Sequence, residues 1–121
     1  MPISTKVAPP NSLLFISDPN GVVAPEPVRG AQILSTPSCI SVACLMFQDG
    51  ETEVTLGSAR EVGPGNFAAF DGLLETPNRA VVVSTAEGDT VLEARVPRLM
   101  TRIRIWVNRP REPDRVVIGL D

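Results

Sequence analysis

The chain has 121 residues, a formal net charge of −3, 43% hydrophobic residues and 4% aromatic ones. That length fits one domain with a sizeable core filled by Val, Ile, Leu and Ala. Twelve prolines and nine glycines interrupt the chain too often for long helices. There is no His and no Tyr, which excludes Ser-His-Asp and Cys-His catalysis, His-ligated metal sites and Tyr-based oxyanion donors.

Residues 1–11, with Pro2, Pro9 and Pro10, read as a flexible or extended N-terminal arm, leaving 12–121 as a single β-sandwich domain. Leu13, Leu14, Phe15 and Ile16 form a short apolar strand that ends at the turn cluster Asp18-Pro19-Asn20-Gly21. The following stretch, 22–30, holds Pro25 and Pro27 and is expected to cross a sheet edge as a loop. A brief strand over 31–34 precedes Pro37.

The segment 39–56 carries the strongest local signal. An apolar run, Asp49-Gly50 and an alternating return predict a two-residue hairpin, because a type I′ turn needs positive φ at both central residues. The register that follows pairs Phe47 with Thr52, Leu45 with Val54 and Ala43 with Leu56, and these six share the core face. Ile40, Val42, Cys44 and Met46 share the other face with Glu51, Glu53 and Thr55. Cys39 and Cys44 then lie on opposite faces, about 16 Å apart at roughly 3.3 Å per residue, too far for a disulfide. They are expected to be free, buried thiols, as suits a reducing, cytoplasmic setting; residues 1–10 lack the pattern of a signal peptide, and no apolar run is long enough to cross a bilayer.

Residues 57–66, with Gly63-Pro64-Gly65, have loop chemistry. In 67–76 the spacing of Phe67, Phe70 and Leu74 is helical, but Gly72 weakens a helix, so a loop followed by a short strand is the reading adopted. Residues 80–85 and 90–96 are two strands joined around Glu87-Gly88-Asp89. Ile103, Ile105 and Val107 alternate with Arg102, Arg104 and Trp106, and Val116, Ile118 and Leu120 alternate with Arg115, Val117 and Gly119, so each run is a half-buried strand. Seven or eight strands without a convincing helix predict an all-β fold: an antiparallel two-layer β-sandwich, jelly-roll-like, or a partly closed barrel.

Charge is uneven. Residues 95–121 hold seven arginines against Glu112, Asp114 and Asp121, a local balance of +4, whereas residues 1–94 balance at −7. One face concentrates this signal: Arg102, Arg104 and Trp106, with Arg115 beside them. Arg and Trp combine large contact area with directed bonding and are enriched at the centres of protein interfaces, so these four are the candidate partner-binding residues. The competing reading is that Trp106 covers the open face of its own sheet, packed along Arg stems. Glu51 and Glu53 share a face and could hold a hard cation, but outward solvated charges explain them as well. No metal ligands, cofactor site or catalytic residues are expected, nor nucleic-acid or membrane binding.

An early strand ending at Asp18-Pro19, the segment 39–56, Val96-Pro97 leading into Thr101-Arg102-Ile103-Arg104-Ile105-Trp106, and Glu112-Pro113-Asp114-Arg115-Val116-Val117-Ile118 together resemble the competence-J type of bacterial β-sandwich proteins. In that group a Val-Pro turn feeds the penultimate strand and an acidic loop leads to the last. The sequence departs from the pattern after Pro97, where Arg98, Leu99 and Met100 replace a glycine and an aromatic. The resemblance implies inhibition of a nuclease by direct protein contact, with no inhibitory residue matched here. Three functions are therefore carried forward: a non-catalytic protein-binding module of inhibitor or immunity-like type, a small-ligand carrier with a cavity between the sheets, and a homo-oligomeric module joined through strand edges.

Overall fold

The computed structural model describes residues 2–20, 22–28 and 30–121. Among these residues ten strands stack as two five-stranded sheets. The first has the order β1 (Ile3–Val7), β5 (Thr52–Ser58), β10 (Arg115–Leu120), β9 (Met100–Val107) and β6 (Phe70–Glu75). The second runs β3 (Ile33–Thr36), β4 (Cys39–Ala43), β2 (Leu13–Ser17), β7 (Ala80–Thr85) and β8 (Thr90–Arg95). Pairing is antiparallel throughout except between β5 and β10, which run parallel. Neither sheet closes on itself, so the fold is the two-layer sandwich and not the barrel.

Period-two alternation builds the core. Leu14, Ile16, Ile40, Val42, Val81 and Val83 from one sheet meet Val54, Leu56, Leu74, Ile103, Ile105, Val116 and Ile118 from the other, each with no exposed surface. These side chains are all aliphatic, and each is worth about 1.5–3 kcal/mol when fully buried. No helix among the described residues is long and apolar enough to cross a membrane.

Three expectations of local structure require correction, and ten strands stand among the described residues where seven or eight were expected. The hairpin at Asp49-Gly50 does not form. β4 ends at Ala43 and the chain crosses to the opposite sheet, with the Cys44 amide donating to Ser12 O at 2.8 Å and the Leu45 amide to Pro113 O at 3.0 Å. Phe47–Asp49 then makes a 3-10 turn, and Gly50 adopts φ 139°, ψ −168°, a conformation reserved for glycine and unlike that of a type I′ turn. Thr52, Val54 and Leu56 face the core as expected, but on β4 it is Ile40, Val42 and then Cys44 that do so, the opposite face from the one inferred.

The second correction concerns the N-terminal arm. Ile3–Val7 is a strand, paired antiparallel with β5 from Ile3 opposite Leu56 to Val7 opposite Thr52. β1 satisfies the ladder groups that β5 would otherwise leave open. The third lies within the stretch 57–66 read as loop, where β5 runs on to Ser58 and Ala59–Val62 forms one helical turn, α1. Ser58 Oγ caps it by accepting from the Glu61 amide at 3.3 Å, half of the Ser-x-x-Glu capping arrangement. The reading of 67–76 as a loop followed by a strand agrees with β6.

The turn after β2 contains a buried carboxylate. Asp18, 2% exposed, accepts from the Asn78 amide at 2.8 Å, from Asn78 Nδ2 at 2.6 Å and from the Asn20 amide at 3.2 Å. It joins the end of β2 to the turn between β6 and β7. Asp18→Ala strands these donors and is expected to cost about 2–3 kcal/mol by the rule for unsatisfied buried partners of charged groups. Urea unfolding measures it, and Asp18→Asn should recover part of the loss.

Candidate protein-binding face

Alternation on β9 turns Ile103 and Ile105 inward and Arg102, Arg104 and Trp106 outward. On the same face β10 sets Val117 opposite Trp106 and Gly119 opposite Arg104, while Arg115 lies opposite Glu53 of β5. The four candidate residues thus share one sheet face, but their environments differ sharply.

Arg102 is held in a two-point ion pair, its Nε donating to Asp71 Oδ1 at 2.8 Å and its Nη2 to Asp71 Oδ2 at 2.6 Å. The hydrogen-bonded guanidinium lowers the Asp71 carboxyl pKa, and the carboxylate raises that of Arg102. Arg104 Nη2 donates to Asp121 Oδ2 at 2.6 Å, and its guanidinium carbon lies 5.8 Å from the centre of the Trp106 ring, within cation–π range. The Arg104 Nε is buried and has no hydrogen-bond partner among the described residues. Arg115 is the most exposed of the three arginines: its side chain is 64% exposed, and its Nε pairs with Glu53 Oε1 at 3.5 Å.

Trp106 is only 7% exposed. Its Nε1 donates to Asn66 O at 3.1 Å, and α1 with the following loop lies over its ring. Two glycines make that seating possible. A Cβ on Gly119 would stand 2.8 Å from Ala59 Cα and 2.9 Å from the ring, and one on Gly63 would stand 2.7 Å from Ala59 O. Trp106 therefore acts as a pin beneath α1, covering the outer face of its sheet.

Beside the pin is a groove of about 280 Å³ between the loop at 64–69 and the β9–β10 pair. Trp106 and Val117 lie along it, Asn66 and Asn108 offer polar groups, and Arg115 and Phe67 stand at its margins. Asn108 is braced there, its Nδ2 donating to Asp114 Oδ1 at 2.7 Å and its Oδ1 accepting from the Arg115 amide at 3.2 Å. Phe67 is fully exposed. Sequence reasoning missed it because its spacing with Phe70 and Leu74 suggested a shared apolar face. Its position two residues after Gly63-Pro64-Gly65 was the available signal, since loops carry binding residues disproportionately.

The other candidate chemistries separate clearly. Glu53 faces Lys6 on one side and Arg115 on the other, and Glu51 is exposed. Among the described residues no cluster of three or more Asp, Glu or Cys side chains is placed to hold a metal. Cys39 and Cys44 are free and buried, and desolvation pushes their pKa values up to about 11 and about 12. Neither is a nucleophile near neutrality. A thiol reagent such as DTNB at pH 8 is expected to leave the native chain unlabelled and to label both sites in guanidinium chloride. Ionisation is opposed in the folded state, so this contribution to stability is full below the ordinary thiol value of 9.0 and is lost as pH rises through 11 and 12. Urea midpoints measured upward from pH 8 should fall past pH 9, and Cys44→Ala should flatten that fall.

No family model matches the sequence, and no curated protein is found similar to it. Among solved structures the chain is similar to the crystal structure of ComJ from Bacillus subtilis, described as an inhibitor of the DNA-degrading activity of NucA. The superposition has a TM-score of 0.68 and covers 98% of this chain and 93% of that one at 7% sequence identity. At that identity the likeness is one of fold, and it is the fold that the resemblance in the sequence implied.

Proposed function

We propose that this chain is a non-catalytic module that binds another protein, in the manner of an inhibitor, through the outer face of β9 and β10. The observation that carries the reading is the groove lined by Phe67 and Arg115: a fully exposed aromatic and a largely exposed arginine, paired only at the surface with Glu53, beside the apolar Trp106 and Val117. Aromatic and Arg side chains dominate the energetics of protein contacts. Burial of an exposed Phe on docking gains free energy, and its loop is anchored on either side, by Trp106 Nε1 donating to Asn66 O and by the Ala69 amide donating to Ile105 O. Arg102 and Arg104, each already held by a carboxylate, would set the electrostatic character of the rim, and Trp106 would hold the floor in place. The inhibitor element draws on the fold shared with ComJ. The space between the sheets is filled by the aliphatic cluster, which favours this reading over a carrier with an internal ligand.

The test uses the tagged 121-residue chain as bait in a lysate of its source cells. Recovery of one partner at equal stoichiometry is expected, with recovery lost for Phe67→Ala combined with Arg115→Glu. The recovered partner is then assayed for DNA degradation with and without excess chain. Absence of a stoichiometric partner, or equal recovery by the double variant, would sink the reading.

A further inference from the structure

The four edges of the two sheets are not equivalent. Beside β3 the loop at 22–28 is tied down, the Val23 amide donating to Ser38 Oγ at 2.8 Å and Thr36 Oγ1 to Val23 O at 2.6 Å. β1 carries one charged side chain, Lys6, and no acid to complement it. β6 bears Asp71 and Glu75, which oppose each other when two copies pair antiparallel about Leu73. β8 has the reverse property. Glu93 and Arg95 are both exposed and neither makes an ion pair among the described residues.

The backbone of β8 is phased to match. The Val96 amide donates to Arg79 O at 3.0 Å, continuing the register that pairs Ala94 with Val81 and Leu92 with Val83. Bonded pairs alternate along an antiparallel ladder, so these even-numbered residues bond β7, while Glu93 and Arg95 turn their N–H and C=O groups to the open side. Two copies of β8 related by a two-fold axis can use those groups only with a residue of β8 on the axis. An axis at Glu93 opposes two carboxylates, one at Arg95 opposes two guanidinium groups, and one at Leu92 sets Glu93 against Val91. With Ala94 on the axis, Glu93 of each copy faces Arg95 of the other, giving four backbone hydrogen bonds and two ion pairs.

We propose that β8 is a self-association edge, joining two copies of this chain antiparallel about Ala94 into a continuous ten-stranded sheet. Pro97 lacks an N–H and limits the ladder beyond Arg95. The contact is therefore short and the dimer weak, in about the micromolar to submillimolar range expected of interfaces below standard size. It leaves the outer face of β9 and β10 untouched and stands independently of the partner reading.

Sedimentation of the full chain at increasing concentration should show a species of twice 12.9 kDa. Glu93→Arg and Arg95→Glu should each weaken association at least about tenfold, since each places like charges directly opposite one another, and the double variant Glu93→Arg/Arg95→Glu should restore it. Thermal melts establish that each variant is folded. Independently of charge, Ala94→Cys should form a disulfide-linked dimer in oxidised glutathione faster than Glu93→Cys, because the residue on the axis is a non-bonded pair with Cα atoms about 4.5 Å apart. A wild type that stays monomeric up to about millimolar concentration, single reversals without effect, a double variant that stays monomeric, or equal cross-linking at 93 and 94 would each overturn the proposal.

Discussion

Val42→Asp is expected to abolish folding, and Ala43→Asp, one residue along, to be tolerated within about 1 kcal/mol. Val42 has no exposed surface and sits among aliphatic side chains. A carboxylate there has no partner and either stays charged or takes up a proton, at several kcal/mol by the rule for buried unpaired charge. That is most of the 5–15 kcal/mol that holds a typical domain together. Ala43 is part-exposed, its amide donates to Gln32 O, and it borders an open surface groove lined by both Arg111 and Glu112, where a carboxylate stays solvated. The pair separates two accounts of the chain: a hairpin at Asp49-Gly50 places Ala43 inside and Val42 outside, and reverses the result. Circular dichroism and urea unfolding of the two variants decide it.

Gly119→Val carries the second large effect. A Cβ at this position lies 2.8 Å from Ala59 Cα, a backbone atom that can move only if α1 moves, and 2.9 Å from the Trp106 ring. Overpacking of this kind costs about 1–3 kcal/mol, and here it also lifts the cover from the single Trp. Urea unfolding should show a loss of about 3 kcal/mol by that rule, accompanied by a red shift of the native Trp fluorescence as the indole meets water. An unshifted emission spectrum at normal stability would mean that α1 does not seat on β10 as described.

The legible parts of this fold were those where one face is dry and the other wet. On β9 and β10 an aliphatic residue holds every second position, so face and phase followed at once; of the residues the alternation selected, Ile103, Ile105, Val116 and Ile118 are fully buried and Val107 and Leu120 partly so. β4 gave no such guide. Cys39, Ile40, Ser41 and Val42 are all buried, so both faces are dry and the phase was borrowed from a turn that the chain does not make. Asp-Gly favours a tight reversal when two strands share a sheet, but here anchors distant in sequence, Ser12 O and Pro113 O, carry the chain across the core instead. β1 was hidden for a related reason, since Ile3–Val7 pairs through its backbone while Ile3, Ser4 and Lys6 are exposed and Val7 alone packs against the core.

For the candidate site, strand phase placed Arg102, Arg104 and Trp106 on one face. Phase alone cannot say what lies above a strand. Covering Trp106 required a capped single turn at Ala59–Val62 and glycines at 63 and 119, each unremarkable by itself. Ser58 and Glu61 were the readable trace of that turn. The groove and its exposed Phe67 depend on where the following loop comes to rest, which the tertiary structure determines.

The central claim is that an exposed aromatic beside the Trp106 pin is the point of protein contact. Its most direct test is a calorimetric titration of the recovered partner into the wild-type chain and into Phe67→Ala, with thermal melts of both. Phe67 is fully exposed, so the variant should melt like the wild type while binding at least about thirtyfold more weakly, the loss of about 2 kcal/mol that defines an interface hot spot. Unchanged affinity in a fully folded Phe67→Ala chain would contradict the account.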